Sequence, residues 1–416
     1  LLPWTAATSH TFNVRIPNDK EHNMSEIAIR QVQGEEMLDL THTLYAYSFE
    51  PSPPVMRLDE ETRRKSALYM HNAICIALLE NGHPMSMAFG LEMSQHVRGR
   101  IQPMGGVMDV ATHPAARHKG YARQVMTHLF AAMRDAGVAL SALYPFRESF
   151  YERLGYISFP QPRAFTLVPG ALAPLLKRDL GGSVEHVPIA EGFESYLAYV
   201  RAHQGRTHGM ALGNDHWAAR LRDQNRSWLA IARVGRDPVG IMCYRLRGRD
   251  QSMPVRPFFY HDSRGRYLLL EWLARHDGQT KTLDLRLSPA ERPETWLADL
   301  KVQSRGTTSP MGRVIDLCAL QGVRTGPGRF VAQIHDPLCP WNEGCYQFET
   351  IDGALHVTPA QYAECDLSIQ GLSALAYGTN DPGDLPFRGW GDPAAETQVA
   401  MRAMFPPMQP YLHEDM

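Results

Sequence analysis

Arg117-His118-Lys119-Gly120-Tyr121-Ala122 is the stretch on which the reading of this sequence turns. A pyrophosphate needs several donors at close range, and the backbone N–H groups at a helix N-terminus supply them where side chains do not intrude. Gly120 and Ala122 leave that room, the helix dipole favours negative charge, and Arg117 and Lys119 add cations. The R-x-x-G-x-A spacing is short and also fits an ordinary helix start, so its neighbours decide. Gly106 to Ala111 reads as a strand ahead of it, with Pro114 in the turn. After it, Ala122, Val125, Met126, Leu129, Phe130 and Met133 fall at helical spacing up to a C-cap at Gly137. Val138 to Tyr144 is a buried strand, Ser149 to Leu154 a short helix closed by Gly155, and Tyr156 to Phe159 is extended. The unit is a strand, an anion-binding turn, an amphipathic helix and a second strand.

Upstream, Ala73 to Leu79 and Pro84 to Met93 form a hairpin around Asn81-Gly82. Leu1 to Asn23 has few periodic apolar positions and no initiator methionine; strand-like alternation starts at Met24, so 1–23 reads as an extension outside the fold. Downstream, Pro160-Gln161-Pro162, Pro169 and Pro174 mark a boundary. Beyond it the same order of elements returns: a hairpin from Trp228 to Val234 and Val239 to Leu246, an extended Phe258 to His261, a helix from Tyr267 to Arg275, and a strand from Leu283 to Leu287. This copy has Arg264-Gly265-Arg266-Tyr267 where the first has its turn, so the anion site is expected to be lost. From Gly306 the pattern is α+β, with strands at Met311 to Leu320, Phe330 to Asp336, Gly344 to Thr350 and Leu355 to Thr358, then a helix from Leu367 to Gly378. Three units follow: 24–163, 164–305 and 306–416.

With 416 residues, 44% hydrophobic and 21% charged, the chain has the composition of a multidomain globular protein. A net charge of -2 provides no field for a polyanion, so nucleic acid is not an expected partner. No apolar run approaches the roughly 18 to 20 residues of a membrane span, and the default compartment is the cytoplasm. The cysteines Cys75, Cys243, Cys318, Cys339, Cys345 and Cys365 lack metal-ligand spacing; they read as thiols, with a Cys339–Cys345 loop disulfide as the alternative. His113, His118 and His128 read as solvated turn or helix-face residues, and Glu60 to Lys65 as an exposed helix face.

Val110-Ala111-Thr112-His113-Pro114 together with Arg117 to Ala122 resembles motif A of the GNAT acetyltransferases, and Phe150-Tyr151-Glu152-Arg153-Leu154-Gly155-Tyr156 is similar to the Y-x-R-x-G-Y segment of the Eis-type family. The resemblance implies tandem GNAT folds, α/β with mixed central sheets flanked by helices, followed by a sterol-carrier-protein-like α+β domain. It implies acetyl-CoA as co-substrate, held by Val110, Ala111, Thr112, Arg117, His118, Lys119, Gly120, Tyr121 and Ala122, with no metal. A homo-hexamer acetylating small cationic amines, aminoglycosides among them, is the family's pattern. In the first unit Tyr151 matches the general acid and the terminal carboxylate of Met416 the general base; relatives usually end in Phe, so Met416 is a departure.

An ordinary phenol pKa of about 10 lies close to that of an alkyl thiol, which suits Tyr151 to protonate a departing thiolate, although the residue also fits as core packing. An acceptor pocket is expected from Glu414 and Asp415 with walls from Tyr47, Phe49 and Phe89, positions that equally suit packing. The rival readings are a protein lysine or N-terminal acetyltransferase, and a non-catalytic protein holding a ligand in its third domain.

Overall fold

Asn81 and Gly82 both take positive φ, 53° and 78°, and turn the first hairpin back on itself as a two-residue loop requires. The computed structural model describes residues 11–15, 26–50 and 58–414. The first unit runs β1 (Thr11–Arg15), β2 (Glu26–Val32), α1 (Gly34–Phe49), α2 (Glu60–Tyr69), β3 (Ile74–Glu80), β4 (His83–Val97), β5 (Arg100–Thr112), α3 (Tyr121–Asp135), β6 (Leu140–Leu143), α4 (Glu148–Glu152) and β7 (Ile157–Ser158). β1 pairs antiparallel with β2, so the segment 1–23, set aside from the fold on its sequence, contributes an edge strand. β2 to β5 are antiparallel neighbours, and β6 then joins β5 in parallel.

The second unit repeats this plan: β8 (Arg163–Leu167), β9 (Ser183–Pro188), α5 (Ile189–Gln204), β10 (Ala211–Gly213), α6 (Asp215–Gln224), β11 (Trp228–Val234), β12 (Asp237–Tyr244), β13 (Ser252–Tyr260), α7 (Ser263–Ala274), β14 (Thr282–Leu287) and β15 (Gln303–Gly306). Its sheet has the order β15-β8-β14-β13-β12-β11-β9, with β14 parallel to β13. β10 leaves its own sheet and pairs with β4, which ties the two units together.

The last unit holds β16 (Met311–Val314), β17 (Arg329–His335), β18 (Gly344–Ile351), β19 (Ala354–Pro359), β20 (Cys365–Ser368), α8 (Ile369–Tyr377), α9 (Leu385–Arg388) and α10 (Ala395–Met404). Two expectations are corrected. The strand expected from Met311 to Leu320 ends at Val314 and belongs to the first sheet, between β6 and β7. Leu367 lies in β20 rather than in the helix, because the Ser368 side chain caps α8 by accepting from Gly371 N at 3.3 Å. All six cysteines are free thiols, so the loop disulfide does not form.

One face of the first sheet packs on α3, whose Val125, Leu129, Phe130 and Met133 meet Ile74, Ile76, Ala88 and Val107. The opposite face has two coverings. Met37 and Leu44 of α1 cover Cys75, Met87 and Phe89, whereas Leu372 and Leu375 of α8, with Leu412, cover Leu91, Met93, Leu140 and Val314. Met70 and Met108 touch both coverings and mark the seam between them. Arg313 of β16 fixes the third unit in place. It is fully buried, pairs with Asp336 at 2.6 Å, donates to Leu154 O and lies 4.3 Å from the centre of the Phe130 ring. Asn342 also donates to Asp336, at 2.9 Å. Removing one partner of such a pair strands a buried charge, at a cost of about 3–5 kcal/mol.

Candidate active site

Residues 113–120 turn the chain from β5 into α3. Ala116 N donates to His113 O at 2.9 Å and Lys119 N to Ala116 O at 3.4 Å, while His118 and Gly120 take φ of 66° and 79°. Ala116 and Tyr121 are buried and anchor the turn; Arg117 to Gly120 are exposed. Gly120 is the N-cap of α3, supplies no side-chain acceptor, and a Cβ at its position would meet no atom within 4 Å. No N-cap side chain covers the N–H groups of the first helical turn, the setting a phosphate requires. Of the two expected cations, Lys119 is engaged elsewhere: its Nζ pairs with Glu80 at 3.0 Å and lies 5.6 Å from the Tyr121 ring centre. Arg117 has no ion pair among the described residues. His113 caps the turn preceding α3, and His128 Nδ1 bonds Gln124 O within its own helix, so neither is placed as a base.

The strand ahead of the turn leaves an edge open. β5 pairs with β6 only from Met104 to Gly106, opposite Leu140 to Ala142, while its other edge stays paired with β4 as far as Thr112. Beyond Gly106 the two strands part, and Val110, Ala111 and Thr112 lie on this diverging stretch. Ser86 Oγ donates to Ala111 O at 3.0 Å and steadies the strand from the β4 side. An uncapped helix N-terminus and a diverging strand edge suit acetyl-CoA.

Tyr151 lies in α4, just past the end of β6, and is 4% exposed. Its ring meets Phe150, Phe146 and Tyr156 at centroid distances of 5.0, 5.8 and 5.9 Å. Burial pushes its phenol well above the ordinary value, so the expected match between phenol and free thiol does not hold as it stands. The residue stays protonated throughout the working pH range, and a thiolate formed in the same apolar surroundings would have its own proton affinity raised for the same reason.

The chain's C-terminal segment runs between the first two units. Tyr411 N donates to His208 O at 2.9 Å, Tyr144 Oη donates to Leu412 O at 2.7 Å, and Arg256 donates to His413 O. Glu414 accepts from Gly213 N at 3.2 Å, and burial raises its carboxyl. It lines a cavity of about 850 Å³ that also touches His71, Asn72, Glu92, Trp217 and Arg220. Glu92 Oε2 accepts from Asn214 Nδ2 at 2.9 Å and Asn72 Nδ2 at 3.1 Å, and Arg220 lies 3.5 Å over the Trp217 ring.

Of the expected pocket residues, Glu414 thus lines a cavity. Tyr47 and Phe49 are 61% and 49% exposed on α1, and Phe89 is 5% exposed in the core beneath it; none of these three lines that cavity. Asp415 and Met416 lie outside the described residues. Sequence reasoning passed over Glu92 and Trp217, whose role depends on long-range assembly, and Asp109, for which a signal existed: one charge inside the apolar run Val107-Met108-Asp109-Val110-Ala111. Among the described residues no group of three His, Cys, Asp or Glu side chains is placed to hold a metal ion, and no helix is long and apolar enough to cross a membrane.

Comparison with known families matches residues 28–158 to an acetyltransferase (GNAT) domain, residues 209–314 to a second acetyltransferase (GNAT) domain and residues 317–413 to a sterol carrier protein domain. A comparison with curated protein sequences finds no match. Among solved structures, a probable N-acyltransferase from Enterococcus faecalis is 20% identical with a TM-score of 0.83, covering 94% of this chain and 100% of its own. A GCN5-related N-acetyltransferase from Kribbella flavida is 21% identical with a TM-score of 0.79, covering 94% and 99%. Eis1 from Mycobacterium abscessus is 16% identical with a TM-score of 0.75, covering 94% and 100%. At these identities the likeness is one of fold, and it extends across all three units.

Proposed function

We propose that this GNAT acetyltransferase of the Eis-type three-domain architecture moves an acetyl group from acetyl-CoA to the primary amine of small cationic acceptors, aminoglycosides among the candidates. The observation that carries the reading is the uncapped N-terminus of α3 at Gly120, opening beside the diverging edge of β5 in the first unit. Acetyl-CoA supplies the activated acyl group. The α3 N–H groups and Arg117 hold its pyrophosphate, and the N–H groups of Val110 to Thr112 polarise the carbonyl. Tyr151 keeps its proton until the sulfur leaves and then donates it. Glu414 and the carboxylate expected of Asp415 draw the cation toward the seam between the units, and the terminal carboxylate of Met416 is the general base of this reading by resemblance. The homo-hexamer and the cytoplasmic setting belong to this reading by resemblance.

The third unit serves this reading as a support. Its interior is filled by Phe330, Phe348, Leu367, Leu372 and Met401, all fully buried, in a core continuous with that of the first sheet.

A panel of polyamines, aminosugars, lysine peptides and free N-terminal peptides, assayed for acceptor-dependent release of free CoA, tests the proposal. Stimulation by small polyamines and aminosugars is expected. Stimulation by peptides alone would instead establish the protein-acetylating rival, and tight acetyl-CoA binding with no acceptor-dependent release would establish a non-catalytic protein.

A further inference from the structure

We propose that the second unit holds a peptide site in place of a cofactor site, that its occupant is the acidic end of this same chain, and that Arg256 and Arg286 position it. The binding stands on contacts alone; only its consequence for turnover rests on the acetyl-transfer reading of the first unit.

The parallel ladder of β13 and β14 runs from Ser252 opposite Thr282 to Val255 opposite Leu285 and ends there. Arg256 and Arg286 are the next residue on each strand. Arg256 also opens a β-bulge: Met242 pairs with Phe258 and Tyr244 with Val255, so Arg256 and Pro257 stand opposite Cys243 alone. Bulges re-aim side chains. The first unit has a bulge at the matching place, where Met87 pairs with Ala111 and Phe89 with Met108, leaving Asp109 and Val110 opposite Ala88. Where the first unit carries an acid, the second carries a permanent cation.

The end of the chain lies over this point. Tyr411 packs with Phe259 of β13 and with Ile189 and Tyr199 of α5, and its Oη donates to Arg286 O at 3.4 Å. A Cβ on Gly209 would lie 2.6 Å from Tyr411 N, so the tail runs against bare backbone. The His413 ring is 5.2 Å from that of Phe259. Arg256 donates to His413 O, while Arg286 donates to Tyr144 Oη at 3.2 Å and Tyr144 donates in turn to Leu412 O at 2.7 Å. Two consecutive carbonyls of the tail are held, one by a guanidinium directly and one through Tyr144.

The occupant suits the site in charge. Burial, then Arg256, His203 and Arg286, push the His413 imidazole down to about 3, which leaves that ring neutral. Glu414 and Asp415 follow it, and the charge of Arg256 reaches Glu414. Two cations at the parting of two strands therefore meet an acidic peptide. Charge-assisted bonds from a planar fork fix direction as well as energy, so the tail leaves the clamp on a set heading. The terminal carboxylate of Met416 is three residues beyond His413.

The test uses the full chain without substrate. Arg256→Met and Arg286→Met remove charge and fork, Arg256→Lys and Arg286→Lys keep the charge, and Arg275→Met, at the exposed end of α7, is the control. Carboxypeptidase release of Met416, followed by intact mass, reads how often the tail opens. The Met variants are expected to raise that rate about tenfold or more, the Lys variants to fall between Met and wild type, and the control to match wild type. With acetyl-CoA and an amine, the Met variants should lose about tenfold or more in kcat at unchanged acetyl-CoA affinity. Wild-type release from both Met variants would overturn the proposal, and so would an equal rise in the control. Should a Met variant not fold, hydrogen exchange of residues 405–416 in the Lys variant decides: faster exchange there with β11 to β13 unchanged is expected, and wild-type exchange would overturn the clamp. If wild type releases CoA with no amine, the acetyl-transfer reading fails, while the release rates still judge the clamp.

Discussion

The N-termini of α3 and α7 start from the same plan and reach opposite states. In the first unit residues 113–120 separate β5 from α3, the N-cap is Gly120, and open space lies in front of it. In the second, only residues 261–262 separate β13 from α7, and the N-cap is Asp262, whose carboxylate accepts from Gly265 N at 2.8 Å. The helix there has supplied its own anion. Gly265 serves packing: a Cβ would lie 2.2 Å from Val239 O. The two units also differ after the next strand, where a short 3-10 turn (Pro293–Thr295) and Trp296 follow β14 and α4 with Tyr151 follows β6. A helix N-terminus therefore binds an anion only when the chain leaves it uncapped and uncrowded.

The most severe way to test the contrast is Tyr151→Phe, expected to slow turnover by about 100-fold or more while leaving acetyl-CoA affinity intact in calorimetry; normal turnover would remove the first unit's claim to the proton donor. Next is the glycine pair. Gly120→Val places a branched side chain in the φ > 0 turn and should weaken acetyl-CoA binding by about tenfold or more, whereas Gly265→Ala should leave that affinity alone and cost about 1–3 kcal/mol in denaturant unfolding. A smaller effect is expected of Asp262→Ala, a loss of about 0.5–2 kcal/mol from the missing cap with no new acetyl-CoA site; a second bound equivalent would show that capping alone silenced α7. The smallest is Lys119→Ala, which removes an exposed pair worth about 0–1 kcal/mol and should change acetyl-CoA affinity little, because its Nζ already faces Glu80.

The pH dependence of stability follows from Asp109. Its carboxyl is raised to about 6, so the folded state binds that proton more tightly than the unfolded chain. This contribution is full in acid and is lost as pH rises from about 4 to about 6, after which the ionised group is a standing cost. Chemical denaturation across that interval should show the decline in wild type and not in Asp109→Asn.

Much of this was legible in local pattern. The Asn81-Gly82 hairpin, the apolar face of α3 and the repeated order of elements are set by short-range rules of φ, period and capping, and the structure contains each of them. Other features have no local signature. Four residues at Met311–Val314 look like any short strand, and nothing in them says that they insert between β6 and β7, strands some 150 to 170 residues earlier in the chain. Arg98, at the tip of the β4–β5 hairpin, donates to Ala376 O and Leu375 O at the end of α8, satisfying helix carbonyls across a domain boundary. Neither bulge residue, Asp109 or Arg256, declares itself as bulged without its partner strand.

By itself the sequence determined that a glycine turn opens a helix at Arg117 to Ala122 and that a second copy of the same elements lacks it, because glycine placement and helical period are properties of neighbouring residues. Only the tertiary structure decided what that turn is joined to. β5 parts from β6, and the tail brings Glu414 between two units, since strand pairing and burial are fixed by residues far apart in the chain.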